Sequence, residues 1–575
     1  MKKYLLIGFL FVSVVASAQS WMWSNAGMNS SHAYCDPWAM CADNNGNIFE
    51  TGIFNDTISF GKYSISTVGS TTAFLVKYNP SGKVLWTVAP TLYGENFSNG
   101  VAADAFGNSY ITGNYRDTIQ FGAYQLFGKT YPNKVVEAGS TFLVKYDSTG
   151  NVIWALSSEQ PSVGSFSMSE AITVDLANNI YITGFYSDTI SFGGSQLKVS
   201  DPLNAGMFLA KYSPIGSLIW VKGGELTCSA YKMSEFQQPS LCVDKENNIY
   251  FSGGFKDTLY FGGSLLNNGG VTGNFFLMKL DSSGTIHWET TGIGSSKIFF
   301  WEDPAGKIPC AVDAYNDVYI GGAFYDSIQI GNTILTTNSE KGIFLAKYDS
   351  SGKVLWAEGS TGAASNIYAA YGLSADKWGD LYFCGDFENT FMTFGGVTLN
   401  TSNTAPSFLF KIDSSGKVIC SAQINNYNDD NNAIVADPLG INVYFSGDID
   451  AQDVPKCVFG NDTLIGLNEY SFMAKWTCGG IEGINNIPEP NQTTILFPNP
   501  NKGVFTIKSS VDNRQSLVEV YNMLGEKVYT ASLNPSNGGT LNSIDISNQP
   551  AGIYLYRVSS EEGQLISSGK FVIEK

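Results

Sequence analysis

One pattern is spelled out seven times along the 575 residues of this chain, and its first and last copies are each incomplete. The full form is an Asp-x-x-Gly/Asn-Asn turn, an alternating run ending in Thr/Ser-Gly-x-Phe/Tyr, an Asp-Thr-Ile-x-Phe-Gly segment, and Phe-Leu-x-Lys-Tyr-Asp-Ser-Ser-Gly-x-Val-Leu-Trp. The turn aspartates are Asp43, Asp104, Asp175, Asp244, Asp313, Asp376 and Asp437, spaced 61 to 71 residues apart. A period of this size implies units that bury their apolar faces only against their neighbours, so the repeat decides the architecture before any single residue is weighed.

Each copy holds four runs with period-two alternation, bounded by Gly, Asn, Asp and Pro, and no stretch keeps a helical period. Asp349–Lys353 and its counterparts form a tight hairpin between the third and fourth runs, with glycine in the left-handed region. Four antiparallel strands repeated radially make a β-propeller, which leaves few sheet edges exposed. The expected fold is therefore all-β, a seven-bladed β-propeller followed by a small β-sandwich. Copy seven ends at Trp476 without a fourth run, while Trp21-Met-Trp-Ser-Asn-Ala-Gly27 reads as an orphan fourth strand. The two are expected to pair, since an open edge strand is a liability.

The chain divides into a signal peptide at 1–18, the repeats at 19–480, a Pro/Asn linker at 481–492 and a terminal module at 493–575. Lys2 and Lys3, the apolar run from Tyr4 to Val15 and Ala16-Ser17-Ala18 give the signal peptide its three parts, so the expected destination is the cell exterior. No later stretch has the ~18 consecutive apolar residues of a spanning helix. A net charge of −18 argues against nucleic-acid partners, and the acidic surface is compatible with weak Ca²⁺ binding but calls for no cofactor. The nine cysteines are too few for a disulfide scaffold, and no CxxC occurs. Cys35/Cys41, Cys228/Cys242 and Cys457/Cys478 are the nearest pairs, though nearness does not settle connectivity, and burial as small hydrophobes suits Cys41, Cys242 and Cys310.

The terminal module carries Phe497-Pro498-Asn499-Pro500 with Gly503, then Val520-Tyr521-Asn-Met-Leu-Gly525, Pro550-Ala-Gly552-Ile-Tyr554 and a closing strand from Lys570. These three motifs, in order, resemble the type A sorting domain of the bacterial type IX secretion system. The resemblance implies translocation across the outer membrane, recognition of the tail by the secretion machinery, and a product anchored at the surface or released. The repeats resemble the SBBP family through Asp-x-x-Asn-Asn-x-Tyr-x-Thr-Gly, a likeness that brings no catalytic residue with it.

Chemistry is sparse. The two histidines are His32, in a Ser/Asn-rich loop, and His287, in a fourth-strand slot filled elsewhere by Leu or Ile. Neither has a matched triad or metal partner, so no catalytic residue and no metal ligand is assigned. Asp429-Asp430, Glu302-Asp303 and the Asp448, Asp450, Asp453 group would serve a glycosidase, but solvated surface acids are the default. The tight turns share one face of the propeller, and the long, variable connections share the other. Any ligand is expected on the long-loop face, with Tyr131, Tyr231, Phe300, Trp301 and Tyr371 as aromatic contacts. The leading expectation is a secreted or cell-surface module for glycan or protein binding or adhesion, leaning away from an enzyme. The alternative is a polysaccharide-active hydrolase or lyase using carboxylates on the same face.

Overall fold

The computed structural model describes residues 20–575 apart from 30–33, 68–70, 92–93, 129–138, 161–164, 202–203, 230–237, 268–273, 293–306, 363–368, 388–390, 401–405, 425–432, 438–441, 450–455, 460–461, 466–469, 479–494, 499, 510–515, 523–526, 534–539 and 561–564. The signal peptide, the linker, His32 and most of the acidic candidates lie outside the described residues. The described residues contain strands and no helix, an all-β fold consistent with a β-propeller.

Each repeat gives one antiparallel run of four strands, in the order of the sequence. In the second these are Asn96–Ala103, Ser109–Tyr115, Ser140–Tyr146 and Val152–Ser157. The seventh combines Ala433–Ala436, Val443–Ile449 and Tyr470–Thr477 with the N-terminal strand Ser20–Asn29. Its register runs from Ser20↔Thr477 to Ala26↔Phe472, so the orphan strand is paired where the sequence places it. The first strands of successive repeats neighbour one another in sequence order, and that of the seventh neighbours that of the first.

The polar letters of the repeat form one buried network. In copy two, Asp104 caps its own turn through the amides of Phe106 and Asn108, and its second oxygen accepts from Tyr110 OH at 3.0 Å. Lys145 lies 3.7 Å from that carboxylate and above the Tyr110 ring, and it donates to Pro214 O in the next repeat's hairpin at 3.1 Å. The same reach joins Lys211 to Ser282 O and Lys279 to Ser350 O. It also joins Lys475 of the last repeat to Pro80 O of the first, at 3.3 Å. Buried charges of this kind persist because each is matched and hydrogen-bonded; removing one partner strands the other.

The closing Trp makes a second link of this kind: Trp86, Trp288 and Trp356 donate to Ser148 O, Ser350 O and Ser414 O in the following hairpins. Copy six has Cys420 at this position, and copy seven has no such hairpin to receive a donor. There Cys420 is bonded to Cys478, just beyond the last strand of the repeats. The pairing of Cys478 is thus with Cys420, not with its sequence neighbour Cys457, because the disulfide takes the place of the Trp–turn contact.

The Asp-Thr-Ile-x-Phe-Gly segment, read only as a connection, is a strand of a small hairpin. Thr118–Phe121 pairs with Tyr124–Phe127, flanked by Asp117 at φ 60° and Gly122 at φ 55°. These hairpins dock on the outer strand of the preceding sheet, as Gly27↔Phe60 and Gly224↔Phe261 show. The aromatic of the motif is buried between sheets: Phe121 lies 5.1 Å from Phe142, ring centre to ring centre.

The chain separates into two compact units, Met1–Gly479 and Gly480–Lys575. The second has a three-stranded sheet (Ile495–Phe497, Val504–Ser509, Thr540–Asp545) and a four-stranded one (Ser516–Tyr521, Lys527–Leu533, Gly552–Ser560, Leu565–Ile573). Their apolar faces share one core that includes Phe505, Ile507, Val518, Ile544, Tyr554 and Phe571.

Candidate functional site

The glycine of Thr/Ser-Gly-x-Phe/Tyr leads to the site. A Cβ at Gly52, Gly113 or Gly184 would stand 2.0, 1.8 or 2.0 Å from the carbonyl oxygen of Asp36, Phe97 or Met168. Those carbonyls belong to the repeat's first strand, where a β-bulge follows: the register slips between Pro37 and Ala39, Ser98 and Gly100, Ser169 and Ala171, and Ala370 and Gly372. A bulge leaves one residue without a cross-strand partner and turns its side chain aside. The residues so placed are Trp38, Asn99, Glu170 and Tyr371.

They sit midway along the first strands of their repeats, and three of them are linked across repeats. Asn99 Nδ2 donates to Ser169 O of the next repeat at 2.8 Å. Lys307, just before the first strand of the fifth repeat, donates from Nζ to Trp38 O of the first at 3.1 Å. It interacts electrostatically with Glu170 of the third and lies near Asp36. The first, third and fifth repeats are not neighbours, so these contacts cross the centre of the molecule.

The cluster has unspent hydrogen-bonding capacity. Glu170 is 6% exposed, and its Oε2 has no hydrogen-bond partner among the described residues. The buried indole Nε1 of Trp38, whose ring stacks on Phe97 at 6.0 Å, has none either. Burial pushes the Glu170 carboxyl from its ordinary 4.5 up to about 7, against the opposing pull of Lys307. Burial likewise lowers Lys307. The arrangement offers one acceptor, one donor and one cation. No group of three or more His, Cys, Asp or Glu among the described residues is placed to hold a metal ion.

A second buried acid, Glu50, stands where Ile111, Ile182 and Ile320 stand in other copies. Tyr78 OH donates to it at 2.9 Å, yet burial still raises it to about 7. A carboxyl whose folded pKa exceeds its unfolded value of 4.5 binds its proton more tightly when folded. Its contribution is complete below pH 4.5 and lost as pH rises through about 7. The unfolding midpoint should therefore fall between pH 4.5 and 7, each group accounting for at most about 3 kcal/mol. Glu50→Gln should flatten that slope in urea melts across the range; an unchanged slope overturns the assignment to Glu50.

The aromatic candidates fare unevenly. Tyr131, Tyr231, Phe300 and Trp301 lie outside the described residues. Tyr371 was expected on a loop but is the bulge residue of strand Ala369–Ala375, 3% exposed, because its neighbours Ala370 and Gly372 continue the first-strand pattern. It occupies the same bulge position in its repeat as Trp38, Asn99 and Glu170 do in theirs. His287 is exposed on its strand, 3.5 Å from Asp281, as a fourth-strand edge position requires. Trp38, Asn99, Glu170 and Lys307 were missed; the signal was present, since Trp38, Asn99, Glu170 and Tyr371 each stand 14 residues before the motif glycine.

In the terminal unit several sorting-motif residues serve the fold. Gly503 has φ 90°, and a Cβ there would lie 2.5 Å from Ser547 Cα. Tyr554 is buried and donates to Pro550 O at 2.9 Å. Tyr521 donates to Glu519, and Gly552 pairs with Ile573. Pro498, Pro500 and Lys570 are exposed, while Asn499 and Gly525 lie outside the described residues.

The chain is similar to several known proteins. An uncharacterized WD repeat-containing protein of Acanthamoeba polyphaga mimivirus is 24% identical over 486 residues, 72% of this chain; the chain spans only 34% of that protein. WD repeats build propeller blades. Among solved structures, PorZ, a surface component of the type IX secretion system of Porphyromonas gingivalis, aligns at TM-score 0.20 and 8% identity over 96% of this chain and 100% of its own. A fungal alcohol oxidase of the AA5 family aligns at TM-score 0.38 and 11% identity, over 97% and 100%. Likeness at these scores carries no argument about chemistry. No helix among the described residues is long and apolar enough to cross a membrane. Residues 495–574 match the secretion system C-terminal sorting domain, so this chain is exported through the type IX machinery, to be attached at the outer surface or secreted.

Proposed function

We propose that the protein is a seven-bladed β-propeller of SBBP type, delivered by a β-sandwich sorting domain, that binds a glycan at the axial end of its long-loop face without catalysing a reaction. Seven four-stranded runs, the cyclic order of their first strands and the Lys475–Pro80 link support the blade count. A signal peptide at 1–18 fits the first step of export.

The observation that carries the binding reading is a pair of buried atoms without hydrogen-bond partners among the described residues, Glu170 Oε2 and Trp38 Nε1, both in residues that interact with Lys307. A saccharide hydroxyl both donates and accepts, so a glycan supplies partners of the kind that both the acid and the indole lack. Leaving such groups unmatched costs about 1–3 kcal/mol each, which a ligand recovers. On a glycan array, the exported protein should retain oligosaccharides that Trp38→Ala and Glu170→Gln lose by about tenfold or more, the worth of one good hydrogen bond to a charged group. Equal retention by both variants overturns the site, and capture of surface proteins alone overturns the glycan class.

One observation favours the hydrolase reading: a carboxyl held near pH 7 is suited to general acid catalysis. Release of reducing ends that stops with Glu170→Gln would replace binding by catalysis.

A further inference from the structure

Cys242 is the third residue of strand Ser240–Val243, and Cys310 opens strand Cys310–Val312, the first strands of neighbouring repeats. The two come very close. The Cys310 amide donates to Ser240 Oγ at 3.3 Å, and the Cys310 Sγ lies 3.7 Å from both Ser240 Oγ and Tyr250 O. Tyr250 is the cross-strand partner of Cys242. A thiol at its carbonyl therefore stands beside the Cys242 side chain, close enough for the two thiols to influence each other's ionisation. In other copies the position of Cys310 is filled by Val101, Ile172, Leu373 or Ile434, so packing alone does not ask for sulfur here.

The destination of the chain is oxidising, and one disulfide, Cys420–Cys478, already ties the sixth repeat to the end of the seventh. We propose that Cys242 and Cys310 form a second disulfide in the exported protein, stapling the fourth repeat to the fifth at their innermost strands.

Burial works against both thiolates, but the neighbouring Cys242 favours the one on Cys310, so Cys310 is lowered and Cys242 raised. The thiolate of one of the two cysteines attacks the disulfide of an envelope thiol oxidoreductase, forming a mixed disulfide and releasing one oxidoreductase thiolate. The other cysteine, giving up its proton, then displaces the second. One S–S bond forms in this chain and one breaks in the oxidoreductase, which leaves as a dithiol with both electrons and both protons. Because Cys310 is 6% exposed in the folded chain, the exchange precedes the packing of these strands.

The test is a disulfide map of the unaltered, full-length exported protein, denatured in acid with an alkylating reagent and digested without reductant. The Cys242 and Cys310 peptides should run as one species, two hydrogens lighter than their sum, and separate on reduction. Cys310→Ser should leave Cys242 alkylated while Cys420–Cys478 persists. Alkylation of both thiols in the unreduced protein, or a bond from either to another cysteine, overturns the proposal. The wild-type map decides the matter even where the variant fails to fold.

Discussion

A chain ending at Gly480 should accumulate inside the outer membrane, with surface and culture fractions falling to background. The match to the sorting family is confined to residues 495–574, so truncation removes the whole address. The repeats form a compact unit of their own, Met1–Gly479, and should remain folded and protease-resistant in the periplasm. Gly503→Ala should reproduce the defect in an otherwise complete chain. At φ 90° an alanine is strained, and its Cβ would meet Ser547 Cα, a backbone atom that no side-chain rotation can move. Cell fractionation with surface proteolysis reads both results. Surface display of the truncated chain at full-length levels would falsify the sorting assignment.

Gly113→Ala should be among the most damaging single substitutions in the repeats, costing about 4 kcal/mol or more, the range reserved for core overpacking and backbone strain. The new methyl would lie 1.8 Å from the Phe97 carbonyl oxygen, so the bulge itself must be rebuilt. Asn99 would then lose its contact with Ser169, and the effect would spread to the axial cluster. Gly194→Ala is the control: nothing lies within 4 Å of its Cβ, and only its φ of 85° is unfavourable, at about 1 kcal/mol. Urea midpoints of the two variants should separate clearly. Equal midpoints would mean that the motif glycine is a turn residue and not the counterpart of a bulge.

The four strands of each repeat were legible because alternation and Asp/Asn/Gly turns report local backbone directly. The pairing of Ser20–Asn29 with Tyr470–Thr477 was legible as well, because the gap at one end of the repeat matched the surplus at the other. The hairpin around Asp117 and Gly122 was not, since a lone aspartate at positive φ lacks the Asn-Gly signature of a tight turn. The Cys420–Cys478 bond was hidden for another reason. Cysteine spacing says nothing about a contact made between repeats, and only the Trp-to-turn geometry explains why Cys420 needs a partner. Most of all, the axial cluster escaped notice because the repeat varies there. Trp38, Asn99, Glu170 and Tyr371 share a slot but no chemistry, whereas the glycine that creates the slot recurs and looks merely structural.

The link between the repeats and the tail bears on how the molecule is hauled. The last strand of the repeats, Tyr470–Thr477, is bonded along one side to Val443–Ile449 and along the other to Ser20–Asn29. A pull along the axis of this strand would be received by a central strand, whose two ladders would then resist as a set in shear. A strand at the rim would instead come away rung by rung, like a zip. The N-terminal segment thereby makes the folded cargo sturdy at the point from which it is towed.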